Sequence, residues 1–153
     1  MKHIWSILCQ KSSVDKESNL LSLFDCIEEI NLVIDQAKAP KDDKLIVPIE
    51  FQLVSFWVFE NINKVKDNVL EIKIELLDPD KKLLGQFENK FKIKKGIPRF
   101  RSRISIKGLR ITKKGIYTFK VQGKGEGEKG YKVVAELPLD LKLAYKFPQF
   151  NKK

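Results

Sequence analysis

Polar and apolar residues alternate along most of this chain, most clearly near its C-terminal end. Tyr131, Val133, Ala135, Leu137, Leu139, Leu141, Leu143 and Tyr145 occupy one parity, while Lys132, Glu136, Asp140, Lys142 and Lys146 occupy the other. A period of two predicts a long strand with one buried face. Pro138 falls on the polar parity and cannot donate to a ladder, so it predicts an edge position or a bulge where the strand changes sheets. Leu70, Ile72, Ile74 and Leu76 alternate with Glu71, Lys73 and Glu75; Tyr117, Phe119 and Val121 alternate with Thr118, Lys120 and Gln122. Each set predicts a strand with one wet face.

Turn signals separate these runs. DPDKK at 78–82 reads as a type I turn that joins 69–77 to 83–93 as a hairpin. KKGIP at 94–98 joins that strand to 99–107, and TKKG at 112–115 leads into 116–122. At the N-terminal end, 4–10 reads as a strand, SSVDKESN as a hairpin loop and 20–27 as its partner. Ile27, Ile30, Ile34 and Ala37 also fit one helical face, so a helix over 27–37 competes with a strand continued to about 35; the strand is favoured. APKDD closes that element, and LIVPIEFQLVSFWVF at 45–59 opens the next. Strands at this spacing, with little helical periodicity, predict an all-β fold: a single-domain antiparallel β-sandwich over 1–153, immunoglobulin-like or C2-like, of about eight strands.

The 45–59 strand carries the first candidate surface. Leu45, Val47, Ile49, Phe51, Leu53, Trp57 and Phe59 keep one parity, and the other becomes apolar only at Val54, Phe56 and Val58. Such a strand is either central and covered on both faces by the fold, or it presents Val54, Phe56 and Val58 to a second copy as a homodimer contact.

Charge adds a second candidate. Lysine outnumbers arginine 26 to 4, and the formal net charge is +10. From Lys90 to Lys124 there are 13 basic residues and no acidic one, which leaves 17 basic against 20 acidic elsewhere. One segment therefore holds all of the net positive charge. Within it, Lys90, Lys92 and Lys94 share one parity, as do Arg99, Arg101 and Arg103. If KKGIP closes a hairpin, these six cations form one outer face of a basic β-ribbon over 90–103. That surface suits a nucleic acid or an acidic protein, and less well an anionic membrane. A solvated edge, protected by lysine and partly neutralised by Glu71 and Glu75, is the competing reading.

Catalytic chemistry has little to build on. His3 is the only imidazole, and His3, Cys9 and Cys26 do not have the spacing of a metal site, so neither a triad nor bound metal is expected. The acidic pairs Glu28/Glu29, Asp42/Asp43 and Asp78/Asp80 fall in turn-like or exposed contexts. GEGEKG at 125–130 matches a dinucleotide-binding spacing, but a strand pattern rather than a helix follows it, so it reads as a hairpin loop and no cofactor is expected. No small-molecule substrate suggests itself. The N-terminal apolar stretch is too short for a signal peptide, which predicts a cytoplasmic protein with Cys9 and Cys26 reduced in the core.

ILCQKSSVDKESNLLSLFDCIEEI at 7–30, IELLDPDKKLLG at 74–85, GIYTFKVQ at 115–122 and ELPLDLKL at 136–143 together resemble a family of small bacterial β-sandwich proteins of unknown function. The resemblance covers most of the chain in order and implies the fold alone. Its basic segment departs from that family. The sequence thus predicts a non-enzymatic interaction module, with a homo-oligomeric structural subunit as the alternative.

Overall fold

The alternating segments become nine β-strands in the computed structural model, which describes residues 1–35, 45–60 and 66–146. They are β1 (Lys2–Val14), β2 (Leu21–Cys26), β3 (Glu29–Asp35), β4 (Leu45–Val58), β5 (Asn68–Leu77), β6 (Leu83–Ile93), β7 (Arg99–Ile111), β8 (Gly115–Gly125) and β9 (Lys132–Lys146). No helix occurs among the described residues. The run expected as one strand to about residue 35 breaks at Ile27 and Glu28, where the chain leaves one sheet for the other, so the count rises from eight to nine. The competing helix is not formed over 29–35; residues 36 and 37 lie outside the described residues, as does APKDD.

One sheet has the order β2-β1-β4-β7 and the other β3-β9-β8-β5-β6. Neighbours are antiparallel except β3 and β9, which run parallel from Glu29↔Asp140 to Asp35↔Lys146. This corrects the expectation of a purely antiparallel fold. After crossing between sheets, β3 continues in the direction that β9 also takes. The β3 pairing begins only beyond Pro138, so the missing N–H of that proline faces no neighbouring strand, as its edge reading required.

The inner faces of the two sheets share one apolar core. Leu8, Phe51, Leu53, Trp57, Ile104 and Leu109 come from the first sheet, and Leu70, Ile72, Tyr117, Phe119, Val121, Leu139 and Leu141 from the second. Phe51 and Phe119 meet edge to face across the gap at 5.8 Å, each burial contributing roughly 2–3 kcal/mol. Trp57 lies flat enough against β8 that only glycine fits at 123: a Cβ there would stand 2.7 Å from the indole ring. Tyr117 ties the β7–β8 connection down. Its hydroxyl donates to the Lys113 carbonyl at 2.7 Å and accepts from the Thr112 and Lys113 N–H groups at 3.0 and 3.1 Å.

Local turn chemistry does what the sequence asks at two hairpins. Asp78 Oδ1 accepts from the Asp80 and Lys82 N–H groups at 2.8 and 2.9 Å, closing the β5–β6 turn. GEGEKG spans the β8–β9 hairpin, where the Glu128 carboxylate accepts from Gly125 N–H at 2.7 Å. That carboxylate occupies a backbone donor that a phosphate would otherwise need.

Candidate functional site

The basic segment divides between two sheets. β6 is an edge of one and β7 an edge of the other, so KKGIP carries the chain between sheets and is not a hairpin; the expected basic β-ribbon over 90–103 is corrected accordingly. The cause lies in the inward residues. Phe91 and Ile93 of β6 and Phe100 and Ile104 of β7 all enter the common core, with Phe91 and Phe100 at 5.1 Å, which requires the strands to face each other rather than lie side by side. By alternation, Lys90 and Lys92 then project from the outer face of one sheet, with Lys94 just past the end of β6, and Arg99, Arg101 and Arg103 from the outer face of the other. The six cations share an edge of the molecule and not a face. Atoms of Lys92, Lys94, Arg99, Arg101 and Arg103 line one open cleft of about 510 Å³ at that edge, with Ile97 and Phe100 among its apolar walls.

Each set meets different neighbours. Lys90 lies opposite Glu71 of β5 in register, with Nζ 3.2 Å from Oε1, and Lys124 of β8 holds the other oxygen of Glu71 at 3.3 Å. Hydrogen bonds from Lys90 and then Lys124 hold the Glu71 carboxyl below the usual carboxylate range. Lys73 similarly reaches Glu75 at 2.8 Å and Glu88 at 4.0 Å. The β7 arginines lie beside β4 instead, in the register Val58↔Arg99, Phe56↔Arg101 and Val54↔Arg103. Among the described residues no carboxylate lies within 4 Å of Arg99, Arg101 or Arg103.

Two surfaces that were separate in the sequence are therefore one surface. Val54, Phe56 and Val58 are the cross-strand partners of the arginines, and Trp5 of β1 joins them from the far side, paired with Phe56 at a ring distance of 5.8 Å. The β1–β2 hairpin reaches over this face. Ser12 Oγ donates to Gln52 Oε1 at 2.6 Å, and Arg101 Nη1 donates to the Asn19 carbonyl at 2.9 Å. Val54 is fully buried within the chain itself and offers no surface to a second copy; Phe56 and Val58 remain half-buried. The sequence reading missed Trp5 and Asn19. Trp5, Ile7 and Cys9 do share a parity, but nothing local says which strand lies beside them.

Other chemistry-bearing groups sit elsewhere. His3 Nε2 and Ser6 Oγ are 2.7 Å apart, and Ser6 Oγ is 2.7 Å from Ser55 Oγ, a short polar chain at the inner face. Burial lowers the His3 pKa below its ordinary value, outweighing a backbone hydrogen bond at Trp5 that raises it. Cys9 is buried as expected, whereas Cys26 is exposed, which corrects its placement in the core. Glu28 and Glu29 are exposed, with Glu29 paired to Lys142; Asp78 caps its own turn, Asp80 pairs with Lys113 at 2.5 Å, and Asp42 and Asp43 lie outside the described residues. Among the described residues, no three His, Cys, Asp or Glu side chains gather as a metal site. Nor is any helix there long and apolar enough to cross a membrane.

No protein-family model and no curated protein matches the chain. Among solved structures, it is similar to an immunoglobulin-like protein from Pseudomonas aeruginosa, at 14% identity, covering 88% of this chain and 96% of that one with a TM-score of 0.34.

Proposed function

We propose that this protein is a non-catalytic interaction module of immunoglobulin-like architecture, which docks an acidic protein segment through the row Arg99, Arg101 and Arg103. The observation that carries the docking site is the combination on one sheet face: Arg99 and Arg101 in register with the half-buried Val58 and Phe56, Arg103 opposite the buried Val54, and no carboxylate beside them among the described residues. A guanidinium presents a planar fork to a carboxylate, and the half-buried apolar row beside it suits the side chains of a peptide. Nucleic acid suits the face less well. Phe91 and Phe100 turn toward each other, and the rings on the face itself, Trp5 and Phe56, are half-buried against one another, which limits what a base can stack on.

Three features favour an immunoglobulin-like over a C2-like sandwich. Tyr117, near the start of β8, makes the backbone hydrogen bonds of a tyrosine corner. Two residues on, Phe119 stands where immunoglobulin domains place the second cysteine of the inter-sheet bridge, and Phe51 of β4 faces it, so an aromatic pair takes the place of the disulfide. Trp57 supplies a buried indole, though on β4 rather than on the strand that usually bears it. These features also accord with the small bacterial sandwich family that the sequence resembles, to which we assign the chain as part of this proposal.

The test is a salt titration of binding to poly-glutamate and to a single-stranded oligonucleotide. Wild-type protein is expected to bind poly-glutamate in preference, and the triple change Arg99→Gln, Arg101→Gln, Arg103→Gln to weaken binding about a hundredfold near 0.15 M salt, at roughly 1 kcal/mol per charge pair. Unchanged binding by the variant overturns the reading, and preference for the oligonucleotide replaces the acidic protein with nucleic acid.

A further inference from the structure

Cys9 and Cys26 are direct register partners on the antiparallel strands β1 and β2, and both thiols are free. The next position along the ladder is the hydrogen-bonded one, since Ile27 N–H donates to the Leu8 carbonyl at 2.8 Å. Cys9 and Cys26 therefore occupy a non-hydrogen-bonded pair, where opposed Cα atoms stand about 4.5 Å apart. That separation lies within the range of about 4.4–6.8 Å which a disulfide spans. Opposed Cβ atoms, at about 4.5–5.5 Å, must close to about 3.8 Å, so the bond forms with some strain and stays open to reduction.

Access to the two sulfurs is unequal. Cys9 is fully buried, while Cys26 is exposed and borders two open clefts of about 420 and 400 Å³. Glu28 and Asp140 line the first cleft; Asp25, Glu29 and Glu50 line the second, where Lys142 pairs with Glu29 and Lys107 lies 3.8 Å from Glu50, so that, among the described residues, Glu28, Asp140 and Asp25 carry the unpaired negative charge. An approaching molecule meets carboxylates, which favours a cationic reagent over an anionic one.

We propose that Cys9 and Cys26 form a thiol–disulfide exchange site, in which Cys26 takes up a small cationic disulfide and Cys9 resolves it into a bond between β1 and β2. In the first step the Cys26 thiolate attacks one sulfur of the small disulfide. That S–S bond breaks, one aminothiol leaves carrying the electron pair and gains a proton, and a mixed disulfide remains on Cys26. Cys9 then gives up its proton and attacks Cys26 Sγ, which releases the second aminothiol. Two cysteines lose two electrons and two protons, and one small disulfide becomes two thiols. Burial, and secondarily the neighbouring Cys26, raise the Cys9 pKa, which makes the second step the slower one.

Cystamine is the probe, with intact-mass measurement of the full chain after alkylation of remaining thiols. Wild-type protein is expected to end as a monomer lighter by two hydrogens, and to return to the dithiol form on treatment with dithiothreitol. Cys9→Ala should stop with one cysteamine on Cys26, and Cys26→Ser should gain none in the same time. A wild-type product that keeps its adduct, forms covalent dimers or does not react overturns the proposal. If Cys9→Ala does not fold, the wild-type product and the exposed-site variant Cys26→Ser decide it.

Discussion

The outer faces of β6 and β7 carry basic rows of nearly the same density, yet they are different surfaces. Along β6, the neighbouring strand supplies carboxylates: Glu71 sits between Lys90 and Lys124, and Lys73 between Glu75 and Glu88. Along β7, the neighbour is β4, which supplies Val58, Phe56 and a buried Val54. In one row Lys90 has a carboxylate opposite it, while Lys92 faces Val69. The other sets unbalanced arginine beside half-buried apolar side chains. Charge in a strand thus acquires its meaning from the strand beside it, because opposed side chains stand only about 5 Å apart and settle the local balance.

Giving β7 the counterion that β6 already has is the strongest way to break this comparison. Phe56→Glu places a carboxylate opposite Arg101 and should weaken poly-glutamate binding about tenfold or more, read by the same titration. Phe56→Leu, with the apolar character kept and no charge added, should change it less than threefold. Equal losses in both would assign the effect to packing against Trp5. Next in size is the converse experiment. Lys90→Gln, Lys92→Gln and Lys94→Gln together remove as many charges as the arginine triple, but should change binding only about threefold, since Lys92 and Lys94 border the shared cleft from the other sheet and lie off the face of Phe56 and Val58.

The smallest effect sharpens the β6 side. Because the native pKa of Glu71 lies below its ordinary 4.5, its pairing stabilises the fold above that value and the contribution is lost as pH falls through the native pKa. Glu71→Gln should therefore flatten the fall in thermal stability below pH 4.5, compared at matched ionic strength with wild-type protein. It should also increase retention on heparin at neutral pH, since Lys90 and Lys124 lose their shared counterion. Parallel acid profiles for the two proteins would show that the pair contributes nothing.

Much of the strand map was legible because its causes are local. The β5–β6 hairpin follows from a single Asp78 side chain that caps its own turn, and the glycine-rich β8–β9 loop from the apolar alternation on either side of it. The site was legible only in its parts. Arg99, Arg101 and Arg103 stand out by charge, and Val54, Phe56 and Val58 by hydropathy, but their opposition in register joins residues more than forty positions apart. KKGIP misled for the same reason. A short turn-like segment fits a hairpin or a passage between sheets equally well, and only the burial of both Phe91 and Phe100 selects the second.

By itself, the sequence determined where most of the strands lie, which face of most of them is apolar, and where the positive charge is concentrated. These properties are set by side-chain period and composition, which act over a few residues. It did not show that β1 runs on to Val14 or that the chain breaks at Ile27 and Glu28. Tertiary structure alone decided which strands lie beside one another: β3 parallel to β9, Cys9 opposite Cys26, lysines next to glutamate and arginines next to phenylalanine. Strand pairing is selected by how two sheets bury a common core, and that selection is made by contacts far apart in the chain.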